Sequence, residues 1–407
     1  MHIDQSRLWS DLMTLGAIGA LPRGGNDRMA LTDADRDGRS LFRLWCQEEG
    51  LAVTTDAMGN MFARREGTDP SLPPVLAGSH LDTQSPGGKF DGPLGVLGAL
   101  AAVRALNAAG RSTRRSIEVV NWTNEEGARF SPGLMGSAVF ADALPLDIAY
   151  ASVDRDGRVF GDELGRIRNK GATAVGGRPV DAYFELHIEQ GPLLEEMGFT
   201  IGAVTHSHYS LMADVTCLGE NAHIQSMPML RRRNALVGAA RLIAEIDRIG
   251  RAHAPAGSAS AVTMELGPNN RINIPHRAVF GYGLIHPDSD GLESMQSAID
   301  AAAQVIAIET GVTLETTFQR RRDPVFFTEE LTALTETVAA DLGLSVTRMR
   351  TRPGHDAFNM LKVCPAALIF VPCRDGISHN ELEFTEPEHC AAGANVLLHA
   401  MIRRADR

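Results

Sequence analysis

Pro74-Val75-Leu76-Ala77-Gly78-Ser79-His80 is a short apolar run that stops abruptly in polar residues. A Gly-rich loop, residues 86–92, and an Ala/Leu/Val-rich stretch over 95–109 follow it. The run has the length and boundaries of a buried strand, the second stretch those of a helix, and strand, loop, helix is the opening of an α/β fold. Two further runs repeat the device. Ser116-Ile117-Glu118-Val119-Val120-Asn121-Trp122 passes into Thr123-Asn124-Glu125-Glu126, and Ala182-Tyr183-Phe184-Glu185-Leu186-His187-Ile188-Glu189 carries its own polar end. Ligand sites in such folds gather beyond the carboxyl ends of the strands. The polar clusters stand there.

Outward from this centre, apolar spacing predicts helices over 5–20 and 34–50, the second opening on the N-cap pair Thr32-Asp33. Between about 201 and 324 the texture changes. Strands over 212–218 and 278–285 alternate with helices over 233–249 and 292–309, the grammar of a small α+β module with a sheet backed by two helices. Beyond Pro324 the first texture returns, with a helix over 328–342, a strand over 367–371 and a closing helix over 386–401. The chain of 407 residues is too long for one compact core. The expectation is a mixed-sheet α/β domain over 1–210 and 325–407, with an α+β domain over 211–324 inserted into it.

Bulk properties narrow the function. The chain is 44% hydrophobic and 22% charged, which allows a sizeable core and argues against bulk disorder. A net charge of -11 disfavours nucleic-acid partners, since the only basic runs are Arg231-Arg232-Arg233 and Arg320-Arg321-Arg322, read as solvated helix or loop faces. Cys46, Cys217, Cys364, Cys373 and Cys390 form no CxxC pattern and read as reduced core thiols. No basic segment followed by an apolar run opens the chain, and the apolar stretch 12–21 is too short to span a bilayer. A cytoplasmic enzyme with no membrane partner is expected.

The chemistry sits at the strand ends. His80 closes the first run, Asp82 stands two residues on and close enough to fix its ring, and loop glycines let Asp91 fold back toward it. Adjacent Glu125 and Glu126 point in different directions, so one can bind a metal while its neighbour serves as general base. His187 and His379 supply further strand-end histidines. Histidine and carboxylate donors without thiolate suit zinc, manganese, cobalt or nickel, and the set is large enough for two ions.

The stretches GSHLDT, GGKFDGPLGVLGAL, TNEEGARFSPGLMGS, ELHIEQGPLLE, PGHDA and IFVPCRDGISHNE closely resemble the M20-type metallo-amidohydrolases. Within these the chain is similar to the branch of N-carbamoyl-L-amino-acid hydrolases, allantoate amidohydrolases and bacterial β-ureidopropionases, over essentially its whole length. The resemblance implies His80, Asp91, Glu126, His187 and His379 as ligands of two divalent ions, with Asp91 as the bridge. It implies Glu125 as the general base toward a metal-bridging hydroxide, Asp82 as the carboxylate behind His80, and Gln190 as a substrate contact. The inserted domain would act as lid and make a homodimer. His223, from the partner subunit, and Asn273 would then hold substrate or its oxyanion. The implied reaction is hydrolysis of a linear amide or ureido C–N bond in a small molecule.

Two departures from the family fall in the recognition half. Ile224-Gln225-Ser226-Met227 replaces the usual small residues after the lid histidine, and Gly283-Leu284-Ile285-His286 stands where relatives read Asp-Ile-Arg-His. Isoleucine cannot replace a guanidinium that grips a substrate carboxylate. Either the substrate lacks that carboxylate, or another cation such as Arg271 meets it. His206 and His208 also stand where small or apolar residues are expected. An aminoacylase or dipeptidase of the wider group, and an inert metal-binding protein, are the competing readings. Ammonia release separates the first, and the presence of Glu125 beside a full ligand set argues against the second.

Overall fold

The structure, a computed structural model, describes residues 1–407 and divides into two compact units: Met1–Thr205 with Phe326–Arg407, and His206–Val325. The chain lays down β1 (Ala52–Thr55), β2 (Met61–Arg65), β3 (Val75–His80), β4 (Ile117–Trp122), β5 (Ala182–Ile188) and β6 (Ile201–Ser207). Next come β7 (Tyr209–Leu218), β8 (Ala222–His223), β9 (Ser258–Gly267), β10 (Asn273–Ile274), β11 (Arg277–His286) and β12 (Thr313–Arg322). Finally β13 (Val346–Thr351) and β14 (Ala366–Val371) return to the first unit.

The first unit is built on an eight-stranded mixed sheet ordered β1-β2-β4-β3-β5-β14-β6-β13. Its centre, β4-β3-β5-β14, is parallel, with His80 beside Trp122 and His187 beside Phe370. Every residue of these four strands is buried. Burial on both faces explains why they read as continuous apolar runs rather than alternating ones. The Pro93–Ala108 and Pro387–Ala405 helices lie against β5, whose Leu186 fills the space left by Gly98 and Gly393. A Cβ at Gly393 would sit 2.6 Å from Leu186 Cδ1. Because the central strands are parallel, their carboxyl ends open at one edge. That edge carries the site.

The second unit is a four-stranded antiparallel sheet, β12-β7-β11-β9, backed by the Ala235–His253 and Ser289–Thr310 helices. Leu211, Val215, Phe280 and Leu284 pack with Leu242 and Ile299 in its own core. Alternate residues of β7 and β11 therefore face the helices, and the residues between them face the open side.

Two expectations need correction. The crossings between units fall at Thr205/His206 and Val325/Phe326, so the first comes a few residues earlier than 211. Tyr209 and Ser210 already pair with β11, and that ladder commits them to the second sheet. Arg320, Arg321 and Arg322 lie on the edge strand β12 rather than on a helix or loop face. Charged side chains suit an edge strand, whose open side must stay wet and unpaired.

Candidate metal centre

His80 is the last residue of β3, and its Nδ1–H donates to the backbone carbonyl of Asp82 at 2.9 Å. His187, in β5, donates from Nδ1 to the carbonyl of Ile188 at 2.8 Å. With both Nδ1 atoms so occupied, both Nε2 lone pairs turn inward to Asp91. His187 Nε2 lies 3.0 Å from Asp91 Oδ1, and His80 Nε2 lies 3.6 Å from the same oxygen and 3.5 Å from Glu125 Oε2. The second Asp91 oxygen faces the other way. His379 Nε2 is 3.3 Å from Asp91 Oδ2 and 3.3 Å from Glu126 Oε2. Two donor triads result, His80/Asp91/His187 and Asp91/Glu126/His379, each with ligand atoms within 4.8 Å of one another. Asp91 is common to both.

These donors fit a pair of cations. His80 Nε2 is buried with no hydrogen-bond partner, and Asp91, Glu125 and Glu126 line one cavity of about 180 Å³ with His187, His379 and Gln190. Burying three carboxylates and an unpartnered imidazole nitrogen together is costly unless positive charge accompanies them. Histidine nitrogens and carboxylate oxygens are the donors that borderline divalent ions take.

The profile of Peptidase family M20/M25/M40 matches residues 76–403. The chain belongs to this family. Among relatives of this M20 protein, an N-carbamoyl-L-amino-acid amidohydrolase of Rhizobium meliloti is 44% identical over 405 residues, covering 100% of this chain and 97% of that one. A ureidoglycolate hydrolase of Arabidopsis thaliana is 30% identical over 98% of this chain and 86% of its own. A crystal structure of an amidase of the hydantoinase/carbamoylase family from Burkholderia vietnamiensis superposes with a TM-score of 0.94 at 44% identity, covering 100% of this chain and 98% of that one.

The electrostatics of the M20 protein's site follow from its burial. Burial raises Asp91, but His187, His379 and His80 outweigh it and hold the carboxyl well below the usual carboxylate range. Burial pushes Glu125 well above its usual value, reinforced by Asp356, Glu126 and Asp91 against the pull of His80. Glu126 is pushed up to about 7 by burial and by Asp91. Burial would lower His379, yet Asp91 and Glu126 raise it to about 9.

Other expected site residues are placed differently. The Asp82 carboxylate stands 3.9 Å from His80 Nδ1, farther than the residue's own carbonyl, and its two oxygens instead accept the backbone N–H groups of Glu125 and Glu126 at 3.3 and 3.2 Å. It binds the backbone of the acid pair while staying beside the imidazole, to which its carboxylate makes no hydrogen bond. Gln190 donates to Asp91 Oδ2 at 2.6 Å. His223 and Asn273 lie in the second unit, directly opposite each other across β8 and β10, and Arg271 is exposed just before β10. Ile285 stands opposite Ser210 and Ser258 on the side of β11 away from Leu284. Arg322 of β12 is opposite Ser210 in the same cross-strand row.

Several residues of the site are given no role by the reading of motifs. Gln84 binds Glu126 at both oxygens, through its backbone N at 3.1 Å and Nε2 at 2.9 Å. His355, in the PGHDA stretch, sets its ring 4.6 Å from that of His187. Glu185 lies two residues before His187, and its oxygens accept Ser79 Oγ and Ala357 N, each at 2.8 Å. Period-two spacing on β5 is the signal that could have found it. Asn124, Gln190 and His379 all have positive φ (56°, 57° and 52°), so three of the segments bordering the site carry a backbone cost.

Proposed function

We propose that the protein hydrolyses the C–N bond of an N-carbamoyl or closely related linear ureido or amide compound, using two divalent ions held by His80, Asp91, Glu126, His187 and His379. The observation that carries this is the buried Asp91, one oxygen facing each histidine-containing triad in a single cavity. The names of the relatives supply the bond class: an N-carbamoyl-L-amino-acid amidohydrolase at 44% identity and a ureidoglycolate hydrolase at 30%. Ions bound there would polarise the scissile carbonyl and acidify the attacking water.

Glu125 is the proposed general base. Its carboxylate borders the cavity beside His80 and is not needed by either triad, so it is available to take the water's proton and pass it to the leaving nitrogen. His223 is the proposed oxyanion donor, supplied by the partner subunit of a homodimer made through the inserted unit. In support, Gln225 N–H donates to His223 Nδ1 at 3.2 Å, which leaves the proton on Nε2 and makes that atom a donor. Asn273, Arg271 and Gln190 are proposed substrate contacts.

The substrate's acid end is proposed to be read differently from that of its relatives. No lysine or arginine lines the cavity, and Ile285 faces only serines on its neighbouring strands. On this reading the carboxylate is absent, or another cation such as Arg271 meets it. Metal analysis of the purified protein with an ammonia-release panel tests the proposal. Ureido acids, neutral ureas and N-acyl amino acids are the three arms. Ammonia from the ureido arm with two ions per chain is expected. Turnover of N-acyl amino acids without ammonia would favour the aminoacylase reading, and bound metal with no turnover in any arm would leave an inert metal-binding protein.

A further inference from the structure

We propose that Glu383 is a positioning residue that ties the loop carrying Asp91 to the loop carrying His379, and so sets the spacing between the two donor triads. The inference rests on the reading of Asp91 and His379 as metal ligands. Glu383 is 2% exposed and contributes no atom to either triad. Its Oε1 accepts the backbone N–H groups of both Phe90 and Asp91, each at 3.0 Å, across nearly three hundred residues of chain. Its Oε2 accepts the hydroxyl of Ser378 at 2.9 Å, one residue before His379. The same hydroxyl oxygen lies 3.1 Å from Asp91 Oδ2. One carboxylate therefore engages the backbone that aims Asp91 and the side chain that precedes His379.

The loop is shaped to receive it. A Cβ at Gly88 would fall 1.9 Å from Glu383 Oε1 and 2.0 Å from its Cδ, so only glycine lets the carboxylate lie against this backbone. The chemistry selects an acid as well. Two adjacent buried N–H groups need acceptors, and an acceptor-only group with lone pairs on both oxygens meets them and the hydroxyl together. Without Glu383 these donors would be left buried, and Asp91 would lose the frame that holds one oxygen toward His187 and the other toward His379. Outer partners of metal ligands act through such orientation, and their loss costs about 10–100-fold in metal affinity.

The test is a cobalt(II) titration of the metal-stripped full chain, followed by the visible d–d absorption of the bound ion, for wild type, His379→Ala, Glu383→Ala and Glu383→Gln. Wild type is expected to bind two equivalents and His379→Ala to lose the weaker one. If wild type takes up no cobalt, the ligand reading itself fails. Given two equivalents in wild type, Glu383→Ala should bind the second at least about tenfold more weakly, with an altered d–d spectrum. Glu383→Gln, whose carbonyl still accepts the two N–H groups, should recover most of that loss. Binding by Glu383→Ala within twofold of wild type, with an unchanged spectrum, overturns the inference. Should Glu383→Ala not fold, Ser378→Ala takes its place. Removing that hydroxyl breaks the tie between Glu383 and the His379 loop and takes one neighbour from Asp91 Oδ2, while the Glu383 bonds to Phe90 and Asp91 N–H remain, so a weaker second site is expected, and wild-type binding and spectrum would overturn the inference.

Discussion

Glu125 and Glu126 are neighbours in sequence with different proposed roles, and the difference comes from what holds each one. Glu126 is bound through both oxygens by Gln84 and lies 3.3 Å from His379, whereas Glu125 is left facing the cavity beside His80. Glu125→Gln is expected to lower kcat by about 10²–10⁴-fold with metal content unchanged, measured by ammonia release beside elemental analysis. A variant that keeps full activity would remove Glu125 from the mechanism. Ile285→Arg tests recognition on the second unit. If no cation meets the acid end of the substrate in the native protein, the variant should lower KM for an N-carbamoyl-α-amino acid about tenfold, the worth of a hydrogen bond to a charged group. An unchanged or raised KM would show that another cation already meets the carboxylate. Gly92 marks how tightly the centre is built: at φ 82° its Cβ would lie 2.3 Å from the His80 ring. Its need for glycine was not visible among the other glycines of the loop.

At the scale of elements, the parallel strands β3, β4, β5 and β14 do the positioning. His80, the Glu125-Glu126 pair, His187 and His379 come from residues at or beyond their carboxyl ends, so the register of the sheet sets how the donors converge. These strands were legible because burial on both faces makes them unbroken apolar runs. Strands β1, β2, β9, β12 and β13 were not. β9 and β12 are edges of the second sheet, β1 and β13 edges of the first, and their exposed, polar residues lack the apolar signal that pattern reading needs. Leu186 links sheet to helices, being wholly buried between glycines of two of them. Leu186→Ala should lower unfolding free energy by about 2–5 kcal/mol, read by denaturant titration. A cost below about 1 kcal/mol would mean that the helices collapse onto the strand and refill the space.

For the molecule as a whole, binding of metal is expected to couple to protons and to stability. His379 is raised to about 9 and Glu126 to about 7, so near neutral pH these groups hold protons that a cation must displace. Lowering pH favours the protons. Affinity at the Asp91/Glu126/His379 triad should therefore rise by about tenfold per pH unit from 7 to 9 and level off above it. Proton release measured calorimetrically in buffers of different ionisation enthalpy checks this, and a flat profile would contradict it. The five proposed donors come from residues 80 to 379, so ions that bind only when these segments are assembled stabilise the native state. Stripping with a chelator should lower the melting temperature of the full chain, and restoring the metal should recover it.

By itself the sequence determined the class of fold and set out the candidate donors, because buried strands and their polar ends leave a periodic, local trace; which of the two adjacent acids is proposed to bind metal came from the family resemblance. Only the tertiary structure decided which oxygen of Asp91 meets which histidine, that the Asp82 oxygens accept the backbone of the two acids, and that Gln84 and Glu383 frame the centre. Such contacts join residues up to nearly three hundred positions apart. Hydrogen-bond geometry between distant loops has no period along the chain, and only the packed sheet brings it into being.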